Sequence, residues 1–213
     1  MLVCGVLVIV GAVVTLRWGG EEFRGPALPA ADAPAPSAGD VVRRYLWSVT
    51  VAVAAGAGAG LLVAGPGGRL AMRLLAATAG DAAQGRVTEA EEVVGRITVG
   101  GTIGFVIFVG LFGGVLSGAL YLLVRRWLPS GRGSGVAFGA LLLAIGATRV
   151  DPLRAGNEDF DIVGPGWLAV LVFGGLVMLH AMAVAAVAAR YSRSLEARPR
   201  TRREWAGYLP LAV

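Results

Sequence analysis

Lysine is absent from this chain, and all 19 of its basic residues are Arg. A retinal or pyridoxal Schiff base needs a lysine amine and a Walker A phosphate loop needs its Lys, so both chemistries are excluded. Cysteine and histidine occur once each, as Cys4 and His180. A single Cys makes no intrachain disulfide and no Cys-ligated zinc or iron–sulfur site, and one His cannot ligate a haem iron on both faces within one chain. Cys4 stands too close to Met1 to be a lipoprotein anchor behind a signal sequence, and it reads as a small membrane-buried hydrophobe. Charge is scarce as well, at 15% of residues against 56% hydrophobic, with a mean hydropathy of +0.71. That balance lies outside the range of water-soluble domains. The expected fold class is an all-α integral membrane protein, a polytopic helical bundle.

A helix crossing the ~30 Å hydrocarbon layer needs about 20 mostly apolar residues. Leu46 to Gly65, Ile97 to Val124 and Trp167 to Ala189 meet that requirement unaided. Leu2 to Leu16 and Gly135 to Thr148 are shorter and reach across only with help from flanking groups such as Arg17 and Arg149 snorkelling to the headgroups. The expectation is therefore about five transmembrane helices. The opening run also resembles the apolar region of a signal peptide, with Ala27 to Ala30 as a vague cleavage site. It lacks a positive n-region, and charged residues lie between the run and that site, so it reads better as a retained helix.

The chain then divides into a first transmembrane helix (1–17), a Pro/Ala-rich linker (18–44), a four-helix membrane domain (45–190) with two outer loops (66–96 and 149–166), and a basic tail (191–213). The stretch 25–40 carries four Pro and reads as an extended, solvated tether. Counting Arg in the connections gives 13 on one side of a five-span arrangement and 6 on the other, the latter accompanied by eight carboxylates. Translocation disfavours Arg, so the N-terminus is expected outside and the C-terminus in the cytoplasm. Abundant Ala, Gly and Arg, with a single Asn and no Lys, suggests a GC-rich bacterial genome and hence a bacterial inner membrane. The tail's Arg cluster, with Trp205 and Tyr208, suits an anionic lipid surface, and nothing points to nucleic acid.

Within the first outer loop, Pro66-Gly67-Gly68 reads as the end of the second span. Arg69 to Leu75 and Thr88 to Val94 read as two short interfacial helices. The second outer loop holds Asp151, Glu158, Asp159 and Asp161. Its spacing matches no EF-hand, so Asp159 and Asp161 are weak candidates for a hard cation. Ion pairs with Arg69 and Arg73, fastening the two loops together, are the stronger expectation, because the Arg fork engages carboxylates bidentately.

The 33 Gly fall in a pattern inside the spans: Ala52, Gly56, Gly60 and Ala64 recur every four residues, and so do Gly110, Gly114 and Gly118. Such faces let helix backbones approach closely in lipid. They serve packing within one bundle or an interface with a second copy or a membrane partner. His180 is the one ionisable side chain deep in a span. It is either a proton relay or porphyrin ligand, or a neutral imidazole bonded to a helix carbonyl or to Thr102, Ser117 or Tyr121. No cofactor is expected. Ser117 has no base near it but His180 and no nucleophile-elbow sequence around it, so no catalytic residue is assigned. The expected function is a non-catalytic accessory or scaffold component of a membrane assembly. A small transporter or channel is the alternative, and an enzyme acting on a lipid-phase substrate ranks last.

Overall fold

The structure, a computed structural model, describes residues 1–25, 36–88, 93–146, 159–195 and 202–212. Among these the chain is helical, without a β-strand. Five helices carry the architecture: α1 (Leu2–Leu16), α2 (Ala38–Thr78), α3 (Val99–Trp127), α4 (Arg132–Gly146) and α5 (Gly166–Ser194). By length and composition α2, α3 and α5 are membrane-spanning helices, of 41, 29 and 29 residues. α1 and α4 have 15 residues each, about 22 Å at 1.5 Å per residue, which is short of the hydrocarbon layer. Three helices are thus long and apolar enough to span, where the sequence suggests about five.

The helix starts are encoded locally. The Ser37 hydroxyl accepts the Asp40 N–H at 3.2 Å and opens α2. The Thr98 hydroxyl accepts the Gly101 N–H at 3.0 Å and opens α3. Each cap satisfies one of the donors that a helix N-terminus leaves without an intrahelical partner.

The end of α2 differs from expectation. Pro66-Gly67-Gly68 does not terminate the span, and Arg69 to Leu75 is no separate interfacial helix, because α2 runs unbroken to Thr78. The reason lies one turn earlier. Pro66 has no N–H to give back to the preceding turn, and its ring would crowd a carbonyl there. Residues Gly60–Ala64 form a π segment in which the Gly65 N–H bonds to the Gly60 carbonyl, and this wider turn accommodates the proline. The other anticipated short helix also differs at its described ends. Val87 and Val93 form an antiparallel bridge, with the Val94 N–H donating to the Arg86 carbonyl at 2.9 Å. Glu89 to Glu92 lie outside the described residues.

α2 and α3 cross backbone to backbone. A Cβ on Gly56 would run into the Gly114 carbonyl, one on Gly60 into the Gly110 carbonyl, and one on Gly118 into the Ala52 carbonyl. α3 carries its own π segment, Val106–Phe112, and this meets the π segment of α2 at Gly60 and Gly110. Gly100 and Gly104 have open space beside them and take no part. α4 packs on α5 in a similar way, since a Cβ on Gly135 would stand 2.9 Å from the Met182 Cα. α5 contributes Ala181, Ala183, Val184, Ala185, Ala186, Ala188 and Ala189 to one buried core with Val51, Ala55 and Ala59 of α2 and Phe138 of α4.

The segments flanking the tether and within the tail are packed where they are described. Within the linker, Trp18 is buried, Phe23 meets Trp47 edge-on at 5.6 Å, and the Arg24 N–H donates to the Ser192 hydroxyl at 3.1 Å. In the tail, the Tyr191 hydroxyl donates to the Gly207 carbonyl at 2.6 Å, which ties the short helix Arg202–Ala206 to the base of the bundle. Residues 26–35, and Arg198 and Arg200 of the tail, lie outside the described residues.

Candidate functional site

A cavity of about 710 Å³ opens between α2, α3, α4 and α5. Its walls are apolar, with Leu120, Leu142, Leu143, Phe173, Leu176 and Val177 among them. Ser117 and His180 line its deep end, and Arg69, Arg73, Arg96, Thr88 and Asp159 line the other. A volume of this size, apolar with a few convergent polar groups, is what small-molecule sites present.

The deep end is built by α3 and α5. The Ser117 hydroxyl lies 2.7 Å from the Gly114 carbonyl and 2.8 Å from Nε2 of His180. A serine has one hydroxyl proton, so when it donates to Gly114 the imidazole must donate through Nε2–H. The Ala59 carbonyl approaches the ring, yet Nδ1 has no hydrogen-bond partner. A hydrolytic dyad needs the opposite arrangement, with Nε2 accepting from the serine and a third group orienting Nδ1. With the protons placed this way, the pair ties α3 to α5. The other partners weighed for His180 are engaged elsewhere: the Thr102 hydroxyl donates to the Thr98 carbonyl at 2.9 Å, and the Tyr121 hydroxyl to Ser134 at 3.4 Å.

The other end is dominated by Arg69, which is only 7% exposed. Its Nε has no hydrogen-bond partner, and its Nη1 reaches only the weakly accepting Met72 sulfur, at 3.8 Å. The Phe105 ring lies 5.8 Å from the guanidinium carbon, a cation–π distance. Gly68 makes room for that ring, since a Cβ there would stand 2.6 Å from it. The expected pairing with the second outer loop is not found among the described groups. Neither Arg69 nor Arg73 forms an ion pair with Asp159, and the side chain of Asp161 lies outside the described residues. Asp159 opens the short helix Asp159–Ile162 and is half-buried at the cavity rim. Among the described residues no three His, Cys, Asp or Glu side chains come together as a metal site would require.

The sequence pattern places Arg69 on a short interfacial helix of the first outer loop, in reach of Asp159 or Asp161. The missed signal is its spacing: Arg44 and Arg69 are 25 positions apart on one helix, or roughly 37 Å along the axis, so the second cation falls just beyond one hydrocarbon thickness from the first. No protein-family model matches the chain, and searches of curated proteins and of solved structures returned no match.

Proposed function

We propose that this chain is a non-catalytic membrane component that holds a lipid-phase molecule between its helices. The observation that carries this reading is the apolar cavity leading from Arg69 to the Ser117–His180 tie. A bundle whose only task was to hold itself together would fill such a volume, because unfilled apolar space forfeits packing. The glycine faces serve the bundle's own assembly in this reading, α2 against α3, and leave the accessory role to the cavity and to the exposed apolar surface. We place the protein in a bacterial inner membrane, with α1 and α4 as two further short spans, the N-terminus outside and the C-terminus inside.

A second reading, a small transporter, is favoured by the two π segments that meet at the crossing of α2 and α3. π segments recur at functional sites, where a helix must bend or shift. The cavity's single deep ionisable group argues for storage or presentation of a ligand over its movement.

The test is extraction of the full-length protein into a mild detergent and mass spectrometry of what stays bound. A molecule retained in stoichiometric amount, and lost when Leu142→Trp fills the cavity, is the expected result. An empty wild-type protein would sink the reading. Orientation is checked in a Cys4→Ala background: a cysteine at Thr78 should react with an impermeant maleimide in intact cells, and one at Ser130 only after permeabilisation. The reverse pattern would invert the topology.

A further inference from the structure

We infer that the cavity takes an anionic amphiphile, a single carboxylate or phosphate on a hydrocarbon chain, with Arg69 as the headgroup anchor. This rests on the ligand-holding reading above and adds the ligand's class.

Three observations converge on it. First, Arg69 is more than nine-tenths buried and carries no anionic partner among the described residues. A guanidinium does not shed its proton under physiological conditions, so burial cannot be relieved by neutralisation. A buried cation is ordinarily paired, and among the described residues no pairing group stands against Arg69. Second, Arg73 and Arg96 stand exposed at the same mouth, and Asp159 is the one described carboxylate beside these three cations. Together they make an end of the cavity with excess positive charge, suited to an oxyanion that accepts hydrogen bonds from two or more guanidinium groups. Third, the remainder of the cavity is hydrocarbon in character from Phe105 to Leu142, so whatever carries the oxyanion is apolar beyond its head. The Ser117–His180 tie closes the far end with groups already bonded to each other.

The arrangement also matches the layering of a bilayer. Arg69 lies on α2 roughly 37 Å from Arg44, near one edge of the apolar layer, while His180 stands in the interior of α5. A headgroup at Arg69 therefore stays near the interface and its chain points toward the mid-plane.

The experiment uses the full chain in nanodiscs of zwitterionic phosphatidylcholine, equilibrated separately with octadecanoate, octadecyl phosphate, octadecanol or inorganic phosphate. Native mass spectrometry counts the bound molecules. The expected result is that both charged amphiphiles bind at least about tenfold more tightly than octadecanol, and that inorganic phosphate alone binds weakly. Arg69→Met should abolish that preference while leaving octadecanol binding unchanged. The same substitution should raise the thermal midpoint of the ligand-free protein, because it removes an unpaired buried charge; a purely structural Arg69 would lower it. Arg73→Gln, at an exposed position, is the second variant and should weaken only the charged ligands.

Equal binding of octadecanoate and octadecanol, unchanged by Arg69→Met, would overturn the anchor and leave the cavity reading standing. Inorganic phosphate binding as tightly as octadecyl phosphate would overturn the amphiphile class in favour of a free oxyanion. Failure of all four probes to bind wild type would remove the ligand-holding reading itself.

Discussion

The two ends of α2 are built on opposite terms. At one end Trp47 is wholly buried, its indole N–H donates to the Leu195 carbonyl at 3.0 Å, and Phe23 closes over it. Nearby the Arg132 Nε–H donates to the Trp18 carbonyl at 2.8 Å, and Arg24, Ser192, Tyr191 and Gly207 are joined by the bonds already described. Twenty-two residues along the same helix, roughly 33 Å away, Arg69 is also buried and has no anion among the described residues. The side chains facing α2 change with it. α5 offers alanines from Ala181 to Ala189 at the Trp47 end, and Phe173, Leu176 and Val177 at the other, where the cavity opens. Small residues let the helices close, and satisfied polar groups then pin the ends. At the other end larger residues line an open cavity, and the buried cation beside it meets no anion among the described residues.

The largest effect expected is at the crossing that separates the two ends. Gly114→Leu drives a side chain into the Gly56 backbone and should cost about 3 kcal/mol or more, or prevent accumulation of folded protein. Leu116→Ala, at a side chain 72% exposed, should leave the thermal midpoint nearly unchanged. Equal tolerance of both would show that the backbones do not meet there.

The contrast between the ends is itself measurable. Phe138 is fully buried in the packed core and Phe173 lines the cavity. Truncating Phe138 to Ala should cost about 3 kcal/mol or more, whereas Phe173→Ala should cost less than half of that because its site is already open on one side. Equal losses in a detergent melt would mean that the cavity is as tightly packed as the core.

At His180 a smaller change is expected. Ser117 keeps its bond to the Gly114 carbonyl when the imidazole is removed, so His180→Leu leaves no serine proton stranded and should lose about 1 kcal/mol, with His180→Gln losing less. A loss several times larger would assign the imidazole a further partner.

The smallest effect belongs to the Trp47 end. Glu21 lies 3.5 Å from the Arg193 guanidinium. Desolvation raises its pKa, but its own backbone N–H and the charge of Arg193 outweigh this and leave it below the ordinary 4.5. A lowered carboxylate stabilises the fold above its unfolded value, and that contribution is lost as pH falls through the folded one. Wild type should therefore melt slightly above Glu21→Gln near neutral pH, and the difference should shrink as acid protonates the carboxylate, at a pH below its ordinary 4.5. A gap that persists in acid would mean that the carboxylate is not the source.

The helical class and the three long spans were legible because apolar runs of sufficient length admit few other structures in lipid. The recurrence of Gly56 and Gly60, and of Gly110, Gly114 and Gly118, was legible because a helix sets every fourth residue on one face. The continuation through Pro66 was not, since proline is ordinarily a terminator and nothing in Gly60 to Ala64 announces a π turn. That single misreading moved Arg69 and Arg73 off the helix and into a loop, where pairing with Asp159 and Asp161 looked natural. The cavity was illegible for a different reason: it is a difference between volumes contributed by four helices, and no local pattern records it.

A seam made of main chain also determines what this sequence can change over time. Lipid does not distinguish Leu from Ile or Val, so most outward-facing positions are free to drift among apolar residues. The carbonyls of Ala52, Gly110 and Gly114 offer no such latitude to the glycines opposite them. Diverged relatives, if collected by any other signal, should agree with this chain least on the surface of α3 and most in the spacing of Gly56 and Gly60 against Gly110, Gly114 and Gly118. That five-position cipher, and not overall similarity, is the trace by which ancestry would be recognised.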